Sequence, residues 1–419
     1  MPGARPGATA VTSDAEGSEP GRSDRKRVII HVGAPKTGTT FIQGVLWRNR
    51  DALRSAGLHI VGQSRGDHYR AGHDIRGVEY NAKDPRPDWA GSWDLLAGLA
   101  ISSGSRATII SDEHLAALTP EQVERAVESL RGREVHVVYT TRNLARLLPS
   151  EHQEYVKHRS PLTYEEWVTK VFTDRQRGPG KWFWNVHDPV DVVRRWSTAV
   201  DPQNVHVLTL PLPGAPKDEL WRRFCAVVEV DPAAATDFDV MGNDSLGVAE
   251  TEVLRRVNVA LPDTFPRWHH TGLARDVFAS RILGPRSKSE RPPVPEGVRD
   301  LVLKQTEANI AGLGSGICDL VGDLDELAVT DDLASGVAEP TDAEVLDAAI
   351  DGIAGLLVQM GRMRDDRRKT EGRLRRQLTS SGRVVRTRTK VAAVLDRTGW
   401  GSAALARYRN VRERSNSRA

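Results

Sequence analysis

An α/β fold with a central parallel sheet, helices on both faces and further helices after it is the class this sequence predicts. Two patterns predict it: short β-branched runs too apolar to carry a solvent face, and helical periodicity in the stretches between them. A third observation is a glycine-rich turn that joins the first such run directly to the first such helix.

Residues 1–26 are rich in Pro, Gly, Ser and Asp and hold almost nothing that could bury apolar area, so this segment is expected to be disordered. It lacks the basic-then-apolar order of a secretory leader, which predicts a cytoplasmic protein. Strands are expected at Val28–Val32, His59–Val61, Thr108–Ser111, Val135–Thr140 and Val205–Leu210. Phe41, Ile42, Val45, Leu46 and Leu53 recur at helical spacing before a stop at Gly57. Beyond Pro211 the pattern is helical over Glu219–Val228, Val248–Val259 and Val298–Ala311, with no further strand expected, so one domain is expected over residues 27–335. Thr341 and Glu344 form a capping box. Leu346, Ile350, Ile353, Leu357 and Met360 then make a stripe of about two heptads, which predicts a helix over 340–378 that docks on its own domain or pairs weakly. Residues 379–419 read as a basic tail.

Apolar residues are 39% of the chain and charged residues 27%, and no apolar run approaches the ~20 residues of a spanning helix. The two cysteines, Cys225 and Cys318, read as buried apolar residues and suggest neither a zinc site nor a disulfide framework. Charge is uneven: residues 361–419 hold 18 Lys/Arg against 5 Asp/Glu, whereas residues 1–360 hold 41 against 51. A basic tail on an acidic body suits a solvated extension or peripheral contact with an anionic membrane. With only Trp400 and Tyr408 for stacking, and no helix-turn-helix or RNA-recognition signature, it predicts no nucleic-acid partner.

The most informative segment is Gly33-Ala34-Pro35-Lys36-Thr37-Gly38-Thr39-Thr40, between the strand ending at Val32 and the helix opening near Phe41. A helix N-terminus offers unbonded N–H groups and a positive dipole end, and glycines let an anion approach the backbone. Measured against GxxxxGK[ST], both glycines and Thr40 are in register, but Thr39 stands at the lysine position and Lys36 three residues earlier. That displacement argues against a Mg²⁺-dependent ATP-hydrolysing loop.

Pro35-Lys36-Thr37-Gly38-Thr39-Thr40 resembles the 5′-phosphosulfate loop of the sulfotransferases that use 3′-phosphoadenosine 5′-phosphosulfate (PAPS), which implies a P-loop-type three-layer fold. The resemblance implies that Lys36 contacts the oxygen bridging phosphate and sulfate, and that the threonines and loop amides hold the 5′-phosphate. It also implies that Phe41 stacks on adenine, for which a core position on the first helical turn is the equal alternative. After the fourth expected strand, Arg142 followed eight residues later by Ser150 is similar to that family's 3′-phosphate motif. The family's GxxGxxK segment is missing, which points to a divergent bacterial or carbohydrate-type branch, and the resemblance spans residues 27–210.

In-line sulfuryl transfer needs a base for the acceptor's proton and a cation for the leaving phosphate, and no metal. Asp112-Glu113-His114 follows the third expected strand, where ligands of open α/β sheets sit. Glu113 is favoured as base from the resemblance, with His114 second. The alternative is that Ser111 or Asp112 caps a helix and Glu113 only favours its first turn. His68 and His73 read as residues of a polar loop able to cover an acceptor, with an ordinary surface histidine the favoured alternative for each. The aromatic run Lys181-Trp182-Phe183-Trp184-Asn185-Val186-His187-Asp188 suits a sugar or ring-bearing acceptor or, nearly as well, the core. The expectation is a PAPS-dependent sulfotransferase acting on a hydroxyl or amine of a small molecule or glycan. A P-loop kinase and a non-catalytic nucleotide-binding protein with a docking tail are the alternatives.

Overall fold

Strand β1 (Arg27–Gly33) is buried at every position, and it lies inside a six-stranded parallel sheet of order β2-β3-β1-β4-β5-β6. The other strands are β2 (Leu58–Ile60), β3 (Ala107–Ser111), β4 (Glu134–Thr141), β5 (Val205–Thr209) and β6 (Asp319–Val321). The computed structural model describes residues 26–79, 88–240, 245–286, 291–329 and 339–395, with side chains described as far as residue 373. The expected disorder of residues 1–26 therefore falls, but for Lys26, outside the described residues, as do the domain end at 335 and the tail beyond 395.

Alternation along β1 sends Val28, Ile30 and Val32 to one face and Ile29 to the other. On the first face they meet helices α3 (Arg65–Ile75), α4 (Ser92–Ser102), α5 (Pro120–Glu128) and α9 (Pro189–Trp196). On the second they meet α1 (Thr39–Arg48), α2 (Arg50–Ser55) and the helix Glu219–Val228. A third cluster joins α6 (Leu144–Lys157), α7 (Tyr164–Thr173) and α8 (Gly178–His187) to Val294, Val298 and Val302. Each fully buried Ile or Val of the sheet contributes ~1.5–3 kcal/mol by its removal from water. The α/β class with a parallel sheet thus stands.

Three expectations change. A sixth strand exists after Pro211: β6 pairs with β5 in the register His206↔Asp319 to Leu208↔Val321, and with three half-buried residues it is too short to show a period. His68 and His73 lie on helix α3, opened by a Ser64/Asp67 capping box, rather than in a loop. The last helix runs Asp342–Leu395, through the expected start of the tail; Val345 and Ala348 in its first turns are buried, while Leu346 of the stripe is exposed. The chain divides into two compact units between Ala349 and Ile350.

Because all strands are parallel, the turns after β1, β3, β4 and β5 emerge at one edge of the sheet. The chain leaves β1 toward β2 and β3 on one side and returns to β4 on the other, so that edge contains a topological switch point beside β1.

Candidate functional site

The turn after β1 has a tightly specified backbone. Gly33 (φ 97°) and Gly38 (φ 95°) occupy the left-handed region, and so does Lys36 (φ 57°), an uncommon conformation for a residue with a side chain. A Cβ on Gly33 would stand 2.8 Å from Cβ of Glu113, so glycine lets the ends of β1 and β3 close on one another. Gly33→Ala is expected to cost ~1–3 kcal/mol through strain and displacement of Glu113, read as a lower unfolding midpoint in urea. Within this turn the N–H groups of Lys36, Thr37, Gly38 and Thr39 have no acceptor among the described residues. Four successive unbonded donors ahead of the α1 N-terminus make an anion-binding concavity.

The turn's side chains divide their roles. Pro35 has no N–H to give. The buried Thr37 hydroxyl turns inward, donating to Ala34 O at 2.5 Å and pairing with the Thr140 hydroxyl, so it braces the turn against β4. Thr39 Oγ1 donates to Glu113 Oε2 at 2.7 Å. Thr40 occupies the first turn of α1. Half-buried Phe41 lies over Phe238 with ring centroids 6.5 Å apart and packs against the core on that face.

Lys36 Nζ stands 2.7 Å from Glu154 Oε2 on α6. Burial disfavours the ammonium, but Glu154 outweighs it, with Glu151 and Glu113 adding, and the amine is held above its ordinary pKa. Arg142 follows β4 and donates to the Lys36 carbonyl at 3.2 Å. Burial, and then the charges of Arg291 and Arg146, push its guanidinium down to about 10, so it stays cationic at neutral pH. No carboxylate pairs with Arg142 among the described residues. A largely buried cation among other cations is costly, and an anion would relieve that cost. Ser150 Oγ donates to Arg146 O at 3.3 Å; Arg146, Ser150 and Glu154 recur every four residues on the face of α6 whose far end reaches Lys36.

At the end of β3, Asp112 caps a short 3₁₀ turn, Glu113–Ala117, accepting from the His114 N–H at 2.9 Å. The same Asp112 oxygen lies 2.8 Å from His114 Nδ1, so Nδ1–H donates and Nε2 carries the lone pair of the neutral ring. Burial disfavours imidazolium at His114, but the Asp112 carboxylate outweighs it and raises the pKa. His114 Nε2 has no hydrogen-bond partner among the described residues. Burial raises Glu113 above the ordinary carboxylate range, against the opposing Thr39 hydrogen bond and His114 charge.

Rings gather around His114. His73 of α3 lies 5.0 Å away, Tyr69 5.6 Å and Trp182 of α8 6.0 Å, centroid to centroid, with Trp89 5.2 Å from His73. Burial, and then the His114 charge, hold His73 down to about 4. Of the aromatic run, Trp182 takes part here, while Phe183 and Trp184 belong to the third core cluster. His68 is fully buried, accepting at Nδ1 from the Ser111 N–H (2.9 Å) and donating from Nε2 to Val61 O (2.7 Å), a brace between α3 and β3.

No family model matches the chain, and no curated protein matches it. Among solved structures it is similar to a sulfotransferase from Alicyclobacillus acidocaldarius. The two are 17% identical, the match covers 61% of this chain and 99% of that one, and the TM-score is 0.35.

The structure brings the turn, Glu113, His114 and Arg142 to one edge of the sheet, linked through Thr39–Glu113 and Arg142–Lys36. Two residues of the arrangement carried no role from the sequence. Glu154 had no motif, though its position four residues after Ser150 was a usable sign. Asp112 was legible only as a helix cap, and its second hold on the imidazole depends on how the turn folds back.

Proposed function

We propose that this protein is a PAPS-dependent sulfotransferase that transfers a sulfuryl group to a hydroxyl or amine of a small-molecule or glycan acceptor. The observation that carries the reading is the pairing of two unmet demands at one edge of the sheet: the unbonded N–H groups of Lys36–Thr39 and the uncompensated cation of Arg142. A nucleotide with phosphate groups at both its 5′ and 3′ positions answers both. In this reading the turn amides receive the 5′-phosphate and Lys36 the bridging oxygen, while Arg142 and Ser150 receive the 3′-phosphate. Phe41 and Phe238 offer the adenine a face.

Transfer breaks the bond between sulfur and the bridging oxygen and forms a bond between sulfur and the acceptor heteroatom, whose proton must leave. The geometry favours His114 over Glu113 for that proton. His114 presents an unengaged Nε2 fixed by Asp112, while a Glu113 oxygen is tied to Thr39. Glu113 then holds the first residue of α1 in place. Tyr69, His73 and Trp182 give a ring-bearing acceptor surfaces to pack on beside the base.

The test is a thermal unfolding series without added metal. 3′,5′-adenosine diphosphate is expected to stabilise the protein by ~2.7 kcal/mol at a hundredfold excess over Kd. Greater stabilisation by ATP with Mg²⁺ would transfer the protein to the kinase class.

A further inference from the structure

We propose that Glu154 is a positioning residue that parks the Lys36 ammonium while the donor is absent and has to release it when the donor binds. The inference rests on the donor reading above. It starts from a geometric conflict: the ammonium that should meet an anionic donor is already neutralised by a carboxylate at 2.7 Å, with neither side chain more than about a third exposed.

Each partner is held so that the bridge has two states. The two states differ by rotation about the Lys36 side chain, while its backbone keeps the left-handed conformation. Glu154 keeps a second partner when the lysine departs, because its other oxygen lies 3.2 Å from His158 Nε2 one helical turn further along α6. The helix face that ends in Glu154 also carries Arg146 and Ser150, so the parking carboxylate and the expected 3′-phosphate contacts share one rigid element.

The consequence concerns donor affinity. A carboxylate several ångströms from an incoming phosphate opposes it both by repulsion and by competing for Lys36. Glu154→Gln is expected to tighten 3′,5′-adenosine diphosphate roughly tenfold by isothermal titration. Glu154→Asp, which keeps the charge, is expected to return the affinity toward wild type. The same Gln substitution made on a Lys36→Met background is expected to gain much less, since no ammonium remains to be released.

Equal gains on both backgrounds would reduce Glu154 to simple repulsion and overturn the parking role, as would unchanged or weaker affinity in Glu154→Gln. If the wild type itself fails to bind the nucleotide, the donor reading falls first and takes this inference with it. Binding by the wild type with no response to Glu154→Gln removes only the inference.

Discussion

His114→Gln is expected to lower turnover by ~10²- to 10⁴-fold while 3′,5′-adenosine diphosphate still stabilises the variant as it does the wild type. Glutamine keeps a polar side chain of similar reach but cannot accept a proton near neutral pH. The pH profile carries a second signature. As a base His114 works unprotonated, so kcat/KM rises with pH through its pKa, which Asp112 holds above the ordinary histidine value against burial. Asp112→Asn removes the raising charge, and burial together with the Arg76 charge then acts in the lowering direction, so the acid limb should move to lower pH. A structural role for Asp112 would lower activity without moving that limb. Should His114→Gln keep full turnover while Glu113→Gln is inactive, the base is Glu113.

The second large effect concerns Arg142. Charge-assisted hydrogen bonds contribute ~1.5–3 kcal/mol each, and a forked guanidinium–phosphate contact makes two, so Arg142→Ala should weaken 3′,5′-adenosine diphosphate by ~10²- to 10⁴-fold. The sign in the empty protein is the informative part. Arg142 is largely buried, stands among Arg291 and Arg146, and has no carboxylate partner among the described residues. Its removal therefore relieves repulsion at the loss of one hydrogen bond to Lys36 O, and the ligand-free melting temperature should hold or rise. A clear fall in that temperature would mean the guanidinium is a brace for the turn rather than a site held ready for an anion. Lys36→Ala should likewise lose nucleotide stabilisation, and it leaves the Glu154 carboxylate without its lysine.

Much of the site was legible because its key parts are contiguous. Strand, turn and first helix occupy neighbouring residues, and the left-handed positions at Gly33 and Gly38 follow from glycine itself. Arg142 was legible because it directly follows a strand whose apolar run announces it. The threonines were only partly legible: the resemblance implied phosphate contacts for them, and the structure has the Thr37 and Thr39 hydroxyls donating to Ala34 O and Glu113. Which way a hydroxyl turns depends on which acceptor the neighbouring strand presents.

What the sequence determined by itself is the class of fold and the place of the glycine-rich turn, since backbone conformation and apolar period are local properties. Tertiary packing decided the rest. Lys36 meets a partner 118 positions away, His114 meets rings from α3 and α8, and the short β6 exists because β5 offers it an edge. Side-chain charges and rings acquire partners only when separate elements are pressed together. The pairings that tune Lys36, His114 and Arg142 are therefore a property of the assembled sheet and its helices, and no stretch of the chain contains them alone.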